Sequence, residues 1–156
     1  MDAIELLKKD HETVKTLLTR LTDSSERAVQ TRKKLLQKIE LELQVHTAIE
    51  EQIFYPAFKA AGKKDEAVLT SEAKEEHRAV EALVLPDIKE TEPSSIEFTG
   101  RVKVLKELLE HHIEEEESDM FPQARKLLDK QKLLELGAQM EAMQKSMKQG
   151  RDVEAA

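Results

Sequence analysis

The sequence predicts an all-α protein, an up-down-up-down four-helix bundle with an additional C-terminal helix, and three observations carry that prediction. Charged residues make up 37% of the 156 positions and aromatics 3%, with four glycines and four prolines, a balance that favours helices over strands. Apolar positions advance in alternating steps of three and four, the seam of a bundle helix. Turn-forming residues recur where antiparallel helices of similar length have to reverse.

The first helix carries Ile4, Leu7, His11, Val14, Leu18 and Leu21 on one stripe. The second carries Leu36, Ile39, Leu43, His46, Glu50, Ile53 and Ala57, and the fourth repeats it as Val102, Leu105, Leu109, His112 and Glu116. The third offers Ala73, His77, Val80 and Val84. Holding the histidines at one level places the turns near residues ~28, ~62 and ~94, given a uniform rise per residue. Asp23-Ser24-Ser25-Glu26 offers a capping box slightly before the first turn, so the second helix overhangs or begins irregularly. Gly62 suits a helix C-terminus at the second turn, and Pro93-Ser94-Ser95 spans the third, where Ser94 and Glu97 offer another box. Residues 1–126 thus form the bundle and residues 127–156 a fifth helix with a polar, frayed tail beyond Gly150. The fifth helix's stripe, Leu133, Leu136, Met140, Met143 and Met147, packs on the bundle or on a second copy as a homodimer.

The bundle is a duplication. His11 recurs 66 positions on as His77, His46 as His112, Glu50 as Glu116, Glu51 as Glu117 and Pro56 as Pro122. Segments 4–60 and 70–126 share only 10 of 57 positions, and those five are half of them. Copies that agree mainly at imidazoles and carboxylates point to a ligand set. A histidine and a glutamate at i and i+4 lie one above the other on a helix, so both reach one metal centre. Six such groups exceed what one tetrahedral ion uses and fit a dinuclear centre, since a carboxylate can bridge two ions. Burying the two glutamates without cations or protons would cost several kcal/mol each.

Of the adjacent His111 and His112, the seam and the offset choose His112; His111 falls about 100° round the helix. Glu51 and Glu117 sit one residue past the seam, in supporting or surface positions, and Glu81 faces solvent or supports a ligand. Tyr55 is poorly phased with the seam and reads as packing, while Pro56 and Pro122 kink their helices by removing a backbone donor.

A histidine on the first helix, H-x-x-x-E on the second, a histidine on the third and H-x-x-x-E on the fourth resemble the hemerythrin-like proteins of the HHE cation-binding group, over residues 1–126. The resemblance implies a non-heme centre of two iron ions with a bridging oxide or hydroxide. His11 and His46 would bind one iron, His77 and His112 the other, and Glu50 and Glu116 would bridge. Oxygen-carrying hemerythrins, by the same resemblance, use five histidines, with H-x-x-x-H on the third helix and H-x-x-x-x-D on the fourth. Here Ala73 and Glu81 flank His77, and the fourth helix has glutamate at both spacings, Glu116 and Glu117. Each iron then has five ligands of about six, leaving an open position unless Glu81 closes one.

The leading functional reading is therefore a di-iron protein that handles dioxygen, peroxide or nitric oxide by binding, sensing or redox turnover; weak peroxide- or oxygen-consuming catalysis is one form this takes. The alternatives are an iron donor, reservoir or sensor without catalysis, and a metal-free helical interaction protein. Composition excludes other classes. The net charge of −7 and the run Glu114-Glu115-Glu116-Glu117 argue against a nucleic-acid partner, and the absence of cysteine excludes disulfides and thiolate chemistry. No apolar stretch suits a membrane span and the start lacks a signal peptide's pattern, so a cytoplasmic protein is expected.

Overall fold

In the computed structural model, which describes residues 1–155 and the side chains of residues 1–150, the chain folds as five helical rods. α1 is Ala3–Asp23. α2 begins as Val29–Ile49, widens into a π-helical turn over Glu50–Phe54 and ends as Tyr55–Ala61. α3 repeats that plan as Lys64–Ala79, a π-turn over Val80–Val84, and Leu85–Lys89. α4 does so again as Ile96–Glu115, Glu116–Met120 and Phe121–Leu127. α5 is Lys130–Ala155; it runs on past Gly150, where the sequence predicted its end. Four rods form the predicted bundle, and α5 lies along α1 and α2.

The three π-turns are the main departure from the expected seams. In each, a backbone N–H reaches back five residues: Tyr55 to Glu50, Leu85 to Val80 and Phe121 to Glu116. Pro56, Pro86 and Pro122 follow directly, and each lacks the N–H that would continue an ordinary ladder while its ring crowds the carbonyl four residues back. The helix widens at that point. One residue is effectively inserted, so the seam of α2 passes from Glu50 to Phe54, Tyr55 and Phe58, all buried, while Ile53 and Ala57 are only half-buried. The prolines therefore mark π-turns.

The turns are closed differently from the capping boxes the sequence suggested. α2 starts at Ala28 without a side-chain cap, and Ser24 instead closes α1, its hydroxyl 2.5 Å from the carbonyl of Leu21. Arg32 ties this turn to the third one. Its guanidinium, 2% exposed, donates to the hydroxyl and carbonyl of Ser24, the carbonyl of Pro93 and the hydroxyl of Thr99, and lies 5.1 Å from the Phe98 ring centre. At the third turn Ser95, not Ser94, accepts the N–H of Phe98. Gly62 ends α2 with a φ of −103°, so its role is space: a Cβ there would lie 2.5 Å from Glu66, whose carboxylate accepts the N–H of Lys63.

Two hydrophobic clusters fill the bundle. One gathers Ile4, Leu7, Phe54 and Phe58 with Leu133, Leu136 and Met140 of α5; the other gathers Leu18, Ile39, Ile88, Phe98 and Leu105. Leu133, Leu136 and Met140 of the α5 stripe thus pack on their own bundle, with Met143 half-buried beside them. Gly137 allows the close approach, since a Cβ there would collide with the Met1 carbonyl oxygen. Between the two clusters lies a polar layer.

Candidate metal centre

All four seam histidines and both seam glutamates enter that layer, each no more than 7% exposed. The rings of His11 and His46 meet edge-on with centroids 4.9 Å apart, and those of His77 and His112 with centroids 4.8 Å apart. Oε1 of Glu50 lies 3.2 Å from Nε2 of His46 and 3.2 Å from Nε2 of His77. Oε1 of Glu116 lies 3.2 Å from Nε2 of His11 and 3.2 Å from Nε2 of His112. Donor atoms of His11, His46, Glu50 and Glu116 fall within 4.8 Å of one another, and so do those of Glu50, His77 and His112.

Most of these close contacts lack hydrogen-bond alignment. Nε2 of His11 and His46, both oxygens of Glu50 and Oε1 of Glu116 are buried and have no hydrogen-bond partner among the described residues. Nε2 of His77 and Nε2 of His112 point at each other across 3.2 Å. Neighbouring ligands at right angles about an ion with bonds of ~2.1 Å sit ~3.0 Å apart, so these spacings suit cations. Imidazole and carboxylate together suit first-row transition metals, iron among them.

Each outer ring nitrogen donates to a carboxylate, which fixes the ring and leaves Nε2 free for a metal. Nδ1 of His11 lies 2.6 Å from Glu117, that of His77 2.7 Å from Glu51, that of His112 2.9 Å from Glu76 and that of His46 3.1 Å from Asp10. Glu51 and Glu117 therefore support the ligands from just off the seam. The sequence reading missed Asp10 and Glu76, although a signal was present: they too are 66 positions apart, each directly before a seam histidine.

Tyr55 packs in the core, as the sequence suggested, but its phase and its hydrogen bond were missed. A residue five positions past Glu50 falls about 140° off an ordinary helical seam, but the π-turn brings it back. Its hydroxyl donates to Oε2 of Glu116 at 2.7 Å, and its ring stacks on His77 with centroids 5.7 Å apart. Phe121, its counterpart 66 positions on, stacks on His11 at 5.7 Å and has no hydroxyl to offer Glu50. The two-fold layout is broken at that one oxygen. His111 stays outside, 67% exposed and 3.0 Å from Glu115, and Glu81 stays on the rim.

Electrostatics couple these groups. Burial disfavours a charged His46, but Glu50, Asp10 and Glu116 outweigh it and raise its pKa to about 10. Burial likewise opposes protonation of His11, His77 and His112, and the carboxylates again win, raising all three. Burial works against ionised Glu116, yet His112, Glu50 and His11 hold it well below the usual carboxylate range. Positive charge is favoured here, whether it arrives as protons or as metal. A cavity of about 100 Å³ adjoins the layer, touching all four histidines and lined mostly by aliphatic groups such as Leu43, Val80, Leu109 and Ile113, with Thr47, Glu76 and Glu81 also on its wall.

An all-α bundle with a buried, two-fold histidine–glutamate layer has the make-up of a metal-binding protein. The chain belongs to the hemerythrin HHE cation-binding domain family, whose profile matches residues 2–124. A crystal structure of an HHE cation-binding domain-containing protein from Mycobacterium kansasii superposes with a TM-score of 0.83 at 29% identity, covering 96% of this chain and 89% of that one. An uncharacterised protein of Mycobacterium tuberculosis is 30% identical over 126 residues, 78% of this chain and 71% of that protein. A DNA nickase of Nostoc is 27% identical over 150 residues; these cover 96% of this chain but only 41% of the nickase. Among the described residues no helix is long and apolar enough to cross a membrane.

Proposed function

We propose that the chain holds two iron ions and handles a small ligand, dioxygen, nitric oxide or peroxide, beside them. His11 and His46 would hold one ion and His77 and His112 the other, with Glu50 and Glu116 placed to be shared between them. One observation carries this reading: each glutamate's Oε1 lies 3.2 Å from one histidine of each pair, so each carboxylate belongs to both halves. Bound iron supplies redox capacity and exchangeable positions.

The protein's own residues do the rest. Glu117, Asp10, Glu51 and Glu76 hold the rings in the tautomer that frees Nε2. Tyr55 donates to one oxygen of Glu116 and fixes the orientation of that carboxylate. The mostly aliphatic wall of the cavity suits a small uncharged molecule, and the carboxylates of Glu76 and Glu81 on the same wall disfavour anions, which supports a small neutral ligand over a charged one. The net charge of −7 supports our reading that nucleic acid is not a partner.

Metal analysis of the purified chain tests the proposal. About two irons per chain are expected, falling in His46→Ala and His112→Ala but not in His111→Ala. One iron or none after anaerobic loading with ferrous iron, or equal loss from the His111 and His112 variants, refutes it.

A further inference from the structure

Three of the four carboxylates on the outer ring nitrogens are alike, and the fourth is not. Glu117, Glu51 and Glu76 have side chains 27%, 30% and 28% exposed and each pairs closely with its histidine. Asp10 is one methylene shorter than its counterpart Glu76, only 12% exposed, and makes the longest of the four contacts. It is also the one that α5 covers. The amide of Gln144 donates to both Asp10 oxygens, at 3.1 and 3.2 Å. One turn further, Lys148 pairs with Glu42 of α2 at 3.1 Å and pins this stretch of α5 in place.

We propose that Gln144 is a positioning residue for the metal centre. By holding Asp10 it holds the ring of His46, so that α5, which lies outside the duplication, governs retention of one ion of the pair and not the other. This rests on the assignment of His11 with His46 and of His77 with His112 made above.

The physical argument is one of conformer number. A carboxylate gripped on both oxygens by one amide has a single orientation, and it presents that orientation to Nδ1 of His46. Without the amide, Asp10 is held by His46 alone and can turn toward Lys9, across the polar hollow between α1, α2 and α5. His46 then gains ring freedom that the metal has to remove. His77 and His112 are spared this, because among the described residues no hydrogen bond or ion pair joins Glu51 or Glu76 to α5.

The test uses the full chain with Gln144→Leu, which keeps the bulk and drops the amide, and Gln144→Asn, which keeps the amide and withdraws it by one methylene. Release of iron to a chelator is followed in time. In both variants one of the two irons should bind about 10-fold more weakly, the lower end of the range for losing an outer partner of a ligand, with the other unchanged. Glu51→Ala gives the reciprocal result, loosening the ion of His77.

Proton-detected NMR of the metal-free protein supplies a second readout. The Nδ1 proton of His46 should exchange faster with water in both Gln144 variants while that of His77 is unmoved, which general loosening of the fold would not produce. An unchanged His46 signal, equal loosening of both irons, or an effect of Leu without one of Asn overturns the inference. A chain that never takes two irons overturns the proposed function instead, and leaves the NMR comparison to judge the link from Gln144 to His46.

Discussion

Replacing Tyr55 with phenylalanine isolates one atom of the candidate centre. The ring of Tyr55 is buried, 1% exposed, and keeps its stack on His77 in the variant, so no packing volume is lost. What goes is the 2.7 Å bond to Oε2 of Glu116, a carboxylate that its surroundings keep ionised. A hydrogen bond to a charged group contributes about 1.5–3 kcal/mol, and the carboxylate it leaves behind is buried, 2% exposed. In a domain of this size that predicts a fall in unfolding midpoint of roughly 3–12 °C for the metal-free protein.

The duplicated layout supplies a converse. Phe121 stacks on His11 as Tyr55 does on His77, and Oε2 of Glu50 is buried without a hydrogen-bond partner among the described residues. Phe121→Tyr should bring a hydroxyl to that oxygen and raise the midpoint, and the double swap should return close to the parent. Thermal unfolding of the four proteins, stripped of metal and followed by circular dichroism, reads all of this. A Tyr55→Phe variant as stable as the parent would refute the argument that this hydroxyl satisfies the centre.

Gly137→Ala should lower stability by about 1–3 kcal/mol through overpacking against the Met1 carbonyl, measured by urea unfolding; a gain of about 1 kcal/mol, the ordinary helix benefit of alanine, would show that α5 does not dock there. The metal-free protein should be most stable between about pH 4.5 and 6.5. His46 has a raised folded pKa, so its contribution is full below 6.5 and lost as pH climbs through about 10; Glu116 has a lowered one, so its contribution is full above 4.5 and lost on acidification. A metal-free protein that gains stability from pH 7 to 10 would contradict the sign. Metal binding should release protons near neutral pH, and calorimetry in buffers of different ionisation enthalpy would show none if the histidines were already neutral. Finally, reduced iron-loaded protein should consume oxygen without returning to its reduced spectrum under argon, because two carboxylates favour the ferric state; full recovery in a stopped-flow and sparging experiment would mark a reversible carrier instead.

Much of this architecture is local chemistry and could be read from the chain alone. Steps of three and four, turn residues at even intervals and a 66-residue echo depend only on helical geometry, so they placed His11, His46, Glu50, His77, His112 and Glu116 on one buried layer and kept His111 off it. The outer carboxylates were half legible: Asp10 and Glu76 obey the same echo, but each bonds a histidine on a different helix, and no spacing within one helix reports that. Tyr55 and Phe54 were hidden by the π-turns, because a uniform 100° per residue fails wherever a proline forces an extra residue into the ladder. Arg32 and Gln144 are further cases. Each bonds atoms more than sixty or a hundred positions away, Arg32 with Pro93 and Gln144 with Asp10, through contacts that arise only once helices are packed side by side. Periodicity chose which residues face inward; the packing of separate helices decided which atoms meet there.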